Sequence, residues 1–193
     1  HELYHLVENS DGQELSEKIG AMCMEFEQID EKQYSDNPIV DSVLRIKFGR
    51  AKARGIKVET SIRIPKQMQL DHGDIGVLYG NLVDNAVKFT DENGIIEVET
   101  SLPKNEHKVY VSVSDSGKGV PDSEKRHIFE AFYKSDSSRG LDKTGSGIGL
   151  SVVKEIINAH GEIVVCKDSK SGGAKFEFSL KPAEEQEEKN EVY

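Results

Sequence analysis

The spacing of apolar residues changes along the chain, and the change separates predicted helices from predicted strands. The first region has heptad spacing, with apolar side chains at alternating steps of four and three residues: Leu15, Ile19, Met22, Phe26 and Ile29. This spacing predicts a helix over residues 13–34 that packs in a bundle or coiled coil. Since only two heptads are present, an amphipathic helix lying on its own domain fits the spacing equally well.

Strict alternation of apolar and polar residues begins further along the chain. Ile56, Val58, Thr60 and Ile62 are separated by single polar or charged positions, which predicts a strand with one buried face. Four more strands are predicted from similar short segments: residues 95–102, 108–114, 162–166 and 174–180.

Start and stop signals predict the helices of the main domain. One helix begins after Asn37, with Pro38 at its first position, and ends at Arg54 before Gly55. Residues 134–146 have no periodicity and predict a mobile loop. Two other helices are predicted over residues 73–90 and 148–159, and residues 122–133 suggest a further short helical segment.

Together these elements predict an α/β fold of two layers, with about five strands and three helices. Because several strands are joined by hairpins, the sheet is expected to be mixed and not doubly wound. Residues 1–36 are expected to form part of a helical hairpin with its turn at residues 9–12, followed by the main domain over 37–182. Residues 183–193 are expected to be a disordered acidic tail.

The charge of the chain limits its partners. The 193 residues carry a net charge of −10; residues 184–191, with five Glu and one Lys, contribute −4 of it and leave −6. An acidic body argues against binding to a nucleic-acid backbone, which needs clustered cations, but it allows a nucleotide. Cys23 and Cys166 lie far apart in the sequence with no paired spacing, which indicates free thiols in a reducing compartment. With no apolar run that could span a bilayer and no signal peptide, we expect a cytoplasmic, soluble portion of a membrane-anchored parent.

The predicted helix over residues 73–90 has a polar stripe. Asn81, Asn85 and Lys88 are spaced four and three residues apart, so they share one face. Asparagine is a mediocre helix former, so two of them in mid-helix need a reason. A carboxamide oxygen suits Mg²⁺, and a lysine one turn on can offset phosphate charge. Taken alone, a solvated polar face is the simpler explanation.

A second motif follows the predicted strand over residues 108–114. Asp115 stands at the strand end and is followed by Gly117 and Gly119, which let a flat ligand approach the backbone. An ionised carboxylate accepts strongly from an exocyclic amine such as adenine N6, and such hydrogen bonds contribute about 1.5–3 kcal/mol. Considered alone, these residues are better explained by a plain turn.

A third motif opens the last predicted helix. Gly145, Gly147 and Gly149 alternate with other residues, and free amides at a helix start can hold phosphate. The spacing matches neither a P-loop nor a dinucleotide fingerprint, and a flexible hinge is the alternative. The preceding loop adds three cations that could close over a triphosphate: Lys134, Arg139 and Lys143.

Each motif is weak by itself, but their order resembles that of the GHKL superfamily and, within it, the catalytic domain of sensor histidine kinases. Residues 81–90 resemble the N box, 115–119 the G1 box, 128–134 the F box and 145–150 the G2 box. Residues 172–176 resemble the final glycine motif. The resemblance covers residues 37–181 and implies a Bergerat-type sandwich that binds ATP with Mg²⁺ in a bacterial two-component kinase.

The resemblance also assigns roles by position. It implies that Asn85 coordinates Mg²⁺, and that Asn81 and Lys88 are catalytic residues beside the phosphates. It implies that Asp115 accepts from adenine N6 and that Phe89 packs near the adenine. The other implied ATP contacts are Gly117, Gly119, Phe132, Lys134, Arg139, Lys143, Thr144, Gly145, Ser146, Gly147, Ile148, Gly149 and Leu150.

Residues 37–44 and 80–85 are similar to the branch that contains quorum-sensing (Agr-like) and citrate-sensor-like kinases. In that branch the phosphoacceptor His lies well upstream of the hairpin turn. His1 and His5 are too close to the predicted turn, so we expect no phosphoacceptor in this chain and no self-labelling. The full-length parent is expected to form a homodimer and to act on a response regulator.

Gyrase-like, Hsp90-like and MutL-like hydrolases are the main enzymatic alternative. They place a Glu one helical turn before the metal-binding Asn, where this chain has Asn81. An amide cannot accept the proton, and a general base contributes about 10²–10⁴-fold, so transfer to a His imidazole is favoured over hydrolysis. A non-catalytic nucleotide-binding scaffold is the other alternative, since Ala174 stands where many members have Thr.

Overall fold

The computed structural model describes residues 29–63, 70–104, 106, 108–134 and 146–181, apart from the side chain of His72. Within them lie three α-helices: α1 (Pro38–Ala53), α2 (His72–Phe89) and α3 (Gly149–Ala159). Five strands form one sheet: β1 (Lys57–Ser61), β2 (Ile95–Ser101), β3 (Val109–Asp115), β4 (Val164–Asp168) and β5 (Ala174–Leu180).

The sheet is mixed, as predicted. The strand order is β1-β2-β3-β5-β4, in which β1 and β2 run parallel and every other neighbouring pair is antiparallel. Val113 of β3 stands opposite Val98 of β2 and Phe176 of β5, so apolar residues of three strands form one row across the sheet. This row fixes the register, because a slip of one residue would turn the apolar side chains to the other face.

The core lies between one face of the sheet and the helices. Alternate residues of β5, among them Phe176 and Phe178, are buried, whereas Glu177 between them is partly exposed on the opposite face. On α2, Leu82 and Ala86 are fully buried, and α2 contacts α1, α3 and β3. The helix that carries the two asparagines is therefore the central helix of its layer.

Capping residues explain where the helices begin. The side chain of Asn37 accepts from the amides of Ile39 and Val40 at 3.0 and 3.1 Å, which supplies partners for two free donors of α1. Asp71 caps α2 in the same way by accepting from Asp74 at 2.9 Å. These two caps agree with the predicted helix starts to within a residue or two.

Two predictions of helix are wrong. Residues 29–34, predicted as the end of a long helix, are not helical, because the carboxylate of Asp41 binds the amide of Tyr34 at 2.7 Å and the Tyr34 ring packs edge-on against Phe48, 4.8 Å between centroids. Within residues 122–133 only the 3₁₀ turn His127–Phe129 forms. Phe129 is drawn into the core, and Phe132 has a φ of +65°, which no helix continues through.

The strand predicted over 162–166 is shifted by two residues, because the amide of Glu162 donates to the carbonyl of Ile157 and closes α3 first. The rest of the predicted hairpin, most of the loop over 134–146 and the acidic tail lie outside the described residues, so the domain boundaries at 36 and 182 stay predictions. In the described ranges, no helix combines the length and the apolar character that crossing a bilayer requires.

Candidate functional site

The polar stripe of α2 has the predicted geometry. Asn81 and Asn85 are half-buried at the edge of the helix face that enters the core, and Lys88 continues the stripe toward the helix end. The side-chain amide of Asn81 donates to the carbonyl of Val77 at 2.9 Å, so its orientation along the helix is fixed. Within the described ranges the side chain of Asn85 makes no hydrogen bond.

The start of α3 packs directly on this stripe. A β-carbon added to Gly149 would lie 2.7 Å from Oδ1 of Asn81, a separation that real β-carbons essentially never show. Ile148 before Gly149 is exposed, Leu150 after it is partly buried against the core, and Ser146 precedes them at the surface. The structure therefore brings the asparagine stripe and the glycine-rich helix start together.

The segment before the undescribed loop also reaches the start of α3. The amide of Phe132 donates to the carbonyl of Gly147 at 3.0 Å, and a β-carbon at Gly147 would lie 2.9 Å from the carbonyl oxygen of Tyr133. Gly147 has a φ of +72°, a conformation that glycine adopts without strain. The Phe132 ring itself is 74% exposed, so no described residue covers it.

Asp115 is the last residue of β3 and is 3% exposed. Its Oδ1 accepts from the amides of Gly117 and Ala174, at 2.8 and 3.2 Å. Within the described ranges its Oδ2 accepts no hydrogen bond. One oxygen is thus held by the backbone and the other is left for another partner.

The protonation of Asp115 reflects two opposed effects. Burial raises the pKa of the carboxyl above its ordinary value, because the charged form loses its hydration. The amides of Gly117 and Ala174 lower the pKa of the same group, but burial outweighs them. The site therefore holds a carboxylate that gains from any additional hydrogen-bond donor.

Two glycines leave space for the Asp115 carboxylate and for the end of α2. A β-carbon at Gly173 would lie 2.2 Å from Oδ1 of Asp115, and one at Gly117 would lie 2.2 Å from the carbonyl oxygen of Phe89. Gly119, with a φ of +69°, approaches the turn between β4 and β5, where its β-carbon would lie 3.5 Å from the carbonyl of Gly172. These close approaches bring the end of α2, the turn after β3 and the β4–β5 turn together.

Positive charge gathers beside the end of α2. Burial lowers the pKa of Lys88, and repulsion from the positive charge of Lys134 lowers it further. The Lys88 ammonium also lies 5.0 Å from the centroid of the Phe89 ring.

Four residues expected at the site lie outside the described ranges: Arg139, Lys143, Thr144 and Gly145. Two contributors were not predicted as site residues, namely the amide of Ala174 and the glycine at 173. The paired glycines before β5 were the available signal for both, but their proximity to Asp115 depends on the antiparallel pairing of β3 with β5.

Comparison with known proteins places this geometry in a family. The model for histidine kinase-, DNA gyrase B-, and HSP90-like ATPases matches residues 71–184. The sensor histidine kinase WalK of Bacillus subtilis is 31% identical over 121 residues, which are 63% of this chain and 20% of WalK. The sensor protein CiaH of Streptococcus pneumoniae is 39% identical over 99 residues, which are 51% of this chain and 22% of CiaH. The chain thus spans about a fifth of the length of these relatives.

Solved structures give the same result for the fold. The catalytic domain of the histidine kinase ThkA superposes with a TM-score of 0.65 at 26% identity, over 76% of this chain and 92% of that domain. Full-length ShkA, crystallised in complex with AMPPNP, superposes with a TM-score of 0.61 at 29% identity, over 76% of this chain and 30% of ShkA. The fold is therefore the Bergerat-type sandwich of histidine kinase catalytic domains. By its sequence match and its fold, the chain belongs to the family of histidine kinase-, DNA gyrase B- and HSP90-like ATPases, and these relatives within that family are sensor kinases.

Proposed function

We propose that this chain is the ATP-binding catalytic domain of a two-component sensor histidine kinase and transfers the γ-phosphate of ATP to a His on a dimerisation helix. The observation that carries the proposal is the state of Asp115, a buried carboxylate with one oxygen held by two amides and the other without a partner in the described ranges. Asp115 lies where the end of α2, the turn after β3 and the β4–β5 turn come together, and each of these segments belongs to one of the motifs that resemble the family.

The adenine is assigned to the region of Asp115. The carboxylate accepts from adenine N6, and this hydrogen bond compensates part of the hydration that Asp115 loses by burial. Gly117 and Gly119 let the base approach the backbone, and Phe89 at the end of α2 packs beside it. Ala174 contributes its amide to Asp115 but no hydroxyl.

The phosphates are assigned to the space between α2 and the start of α3. The side-chain oxygen of Asn85, which makes no hydrogen bond in the described ranges, is a suitable ligand for Mg²⁺. Asn85 would hold the Mg²⁺ that comes with ATP, and the bound metal would supply charge neutralisation during transfer. Among the described residues no group of three His, Cys, Asp or Glu side chains could hold a metal.

Remaining contacts to the phosphates are assigned to residues around the start of α3. Lys88 and Lys134 offer the positive charge, and the alternating glycines leave amides accessible. The undescribed residues proposed to complete this side of the site are Arg139, Lys143, Thr144 and Gly145, and Ser146, Gly147, Ile148, Gly149 and Leu150 line the helix start. Phe132 is proposed to cover the nucleotide from the exposed side.

Asn81 favours transfer over hydrolysis. Its side-chain amide donates to the Val77 carbonyl at 2.9 Å, and no carboxylate stands at this position to accept a proton from water. In the proposed reaction a ring nitrogen of the acceptor His attacks the γ-phosphorus, the bond to the bridging oxygen breaks and ADP leaves, while the imidazole releases its N–H proton to water. The imidazole is itself a nucleophile, so this step needs no Glu.

The partners proposed for the parent protein follow from its relatives, which are sensor kinases. They are a second copy of the kinase and a response regulator, with the catalytic domain in the cytoplasm and no role for nucleic acid. The resemblance to the quorum-sensing and citrate-sensor branch stays a prediction.

The test is calorimetry with ATP and Mg²⁺, followed by incubation with a separately supplied dimerisation hairpin and γ-labelled ATP. We expect nucleotide binding, and acid-labile label on the His of the hairpin. Absence of binding would refute the nucleotide site. Binding together with ATP hydrolysis and no labelling of the hairpin would refute the kinase assignment.

A further inference from the structure

The C-terminus of α2 is held by a side chain from α1. Arg54, the capping residue at the end of α1, donates through one guanidinium nitrogen to the carbonyl of Val87 and through the other to that of Thr90, at 3.0 Å for the latter. The last four carbonyls of a helix have no partner within it. Thr90 donates to the carbonyl of Ala86 from both its amide and its hydroxyl, at 3.0 and 2.7 Å. Arg54 binds the next carbonyl along.

The backbone next to Arg54 is held by two hydrogen bonds at the end of α1. The amide of Gly55 donates to Lys52 at 2.9 Å and that of Ile56 to Ala51 at 3.0 Å, which is the pair of hydrogen bonds of a Schellman motif. Gly55 has the positive φ of +72° that this motif needs. A cation is also favoured at a helix C-terminus by the helix dipole. The contact between Arg54 and α2 therefore combines hydrogen bonds with favourable charge.

The turn of α2 that Arg54 holds is the turn that carries Lys88 and Phe89. The carbonyl of Phe89 lies so close to Gly117 that a β-carbon there would be 2.2 Å away. The position of the last turn of α2 therefore determines where the Lys88 ammonium lies and how closely α2 packs against the turn after Asp115. Arg54 fixes this position because its guanidinium donates hydrogen bonds to backbone carbonyls at the end of α2.

We propose that Arg54 is a positioning residue of the nucleotide site: by binding the Val87 and Thr90 carbonyls it holds Lys88 at the distance that phosphate contact requires. This inference rests on the proposed function, since it assigns Arg54 to the same site. It predicts that loss of the guanidinium weakens binding of ATP more than binding of adenosine, which has no phosphates for Lys88 to contact.

The test uses the full chain with the substitution Arg54→Met, which keeps much of the side chain and removes the donors. Kd values for Mg-ATP and adenosine are measured by calorimetry well below the unfolding temperature of each variant. We expect the Kd for ATP to rise about three- to tenfold, and that for adenosine to change less. Arg54→Lys, which keeps the charge but not the forked donor pair, is expected to fall between the parent and Arg54→Met.

Lys47→Met is the matched control, because Lys47 also joins α1 to α2, through Asp84 at 2.6 Å, but away from the end of the helix. Its Kd for ATP should stay within about twofold of the parent. Three outcomes would overturn this inference and leave the proposed function standing. They are an unchanged ATP affinity in Arg54→Met, an equal loss of affinity for ATP and adenosine, and the same loss in Lys47→Met. A parent chain that binds no ATP would overturn the proposed function as well. If Arg54→Met does not fold, Arg54→Lys decides, and parental affinity there overturns the inference.

Discussion

Gly149, at the start of α3, lies so close to Asn81 of α2 that a β-carbon on it would come within 2.7 Å of the Asn81 side-chain oxygen. The two residues are 68 positions apart in the sequence, 149 minus 81. Their contact joins the polar stripe of α2 to the glycine-rich helix start. It makes the glycine at 149 a steric requirement of the site and not only a source of flexibility.

Gly149→Ala should therefore weaken nucleotide binding without unfolding the domain. The new methyl group must displace the Asn81 side chain from its hydrogen bond to the Val77 carbonyl, so we expect the ATP affinity to fall about three- to tenfold. Isothermal calorimetry and thermal unfolding of the same samples test this. Gly80→Ala is the control, because its β-carbon would be 4.0 Å from Val43 and alanine stabilises a helix by about 0.5–1 kcal/mol. Equal ATP affinity in both variants would contradict the prediction that the close approach of Gly149 to Asn81 is needed for ATP binding.

Asp115→Asn should lose ATP binding and keep its fold. The amide cannot accept from adenine N6 as a carboxylate does, and we expect a loss of about ten- to hundredfold or more in affinity. Burial raises the pKa of Asp115, so its contribution to stability is present at low pH and is lost as the pH rises through that raised pKa. Removing the buried charge should therefore leave the free energy of unfolding at neutral pH no lower than that of the parent.

The same pKa predicts how ATP binding by the parent chain depends on pH. Affinity should fall as the pH drops through the raised pKa of Asp115, because the protonated acid no longer offers a carboxylate to N6. Calorimetry across the acidic range tests it, with Asp122→Asn, an exposed carboxylate, as the control. Full ATP affinity in Asp115→Asn would refute the adenine assignment.

Asn85→Ala should remove the Mg²⁺ dependence of ATP binding. In the parent we expect Mg²⁺ to strengthen binding by about tenfold or more, and in the variant by less than about twofold, because the proposed protein ligand is gone. The comparison is made by titrating ATP with Mg²⁺ and with excess chelator. Asn158→Ala, on the exposed side of α3, should behave as the parent. An unchanged Mg²⁺ dependence would rule out Asn85 as a ligand.

The segment before α1 should contribute to stability in a pH-dependent manner. Burial alone would raise the pKa of Asp30, but hydrogen bonds from Lys52, Tyr34 and the amide of Lys32 outweigh it and lower the pKa from 3.8 to about 2. The stabilisation is therefore present above 3.8 and is lost as the pH falls toward 2. We expect Asp30→Asn to lose about 1–2 kcal/mol at neutral pH, and less near pH 2.

Urea unfolding at several pH values measures this contribution. Asp84→Asn is the control, because the ion pair of Asp84 with Lys47 is more exposed and should contribute only a few tenths of a kcal/mol. A loss in Asp30→Asn that is the same at neutral and acidic pH would mean that the segment is held by packing of Tyr34 and not by the charge of Asp30.

Local signals in the sequence predicted most of the fold. Helix starts at Asn37 and near Asp71 depend on capping within a few residues, and alternation predicted the strands because the side-chain period of a strand is a local property. The same holds for the Asn81–Asn85–Lys88 stripe, which needs only the helical repeat. Where another residue competes for the backbone, local reasoning failed, as at residues 29–34: Asp41 accepts from the amide of Tyr34 and from that of Ser35, which follows it.

Local patterns in the sequence are enough to predict the candidate site residues and the elements on which they lie, because composition, capping and periodicity act over one or two turns. The hydrogen bonds from Ala174 to Asp115, across 59 positions, and from Arg54 to Thr90, across 36, arise from tertiary packing. Such contacts are set by strand pairing and by helix packing, which form when separate segments bury their apolar faces together. No local pattern specifies which backbone group comes to face a given side chain.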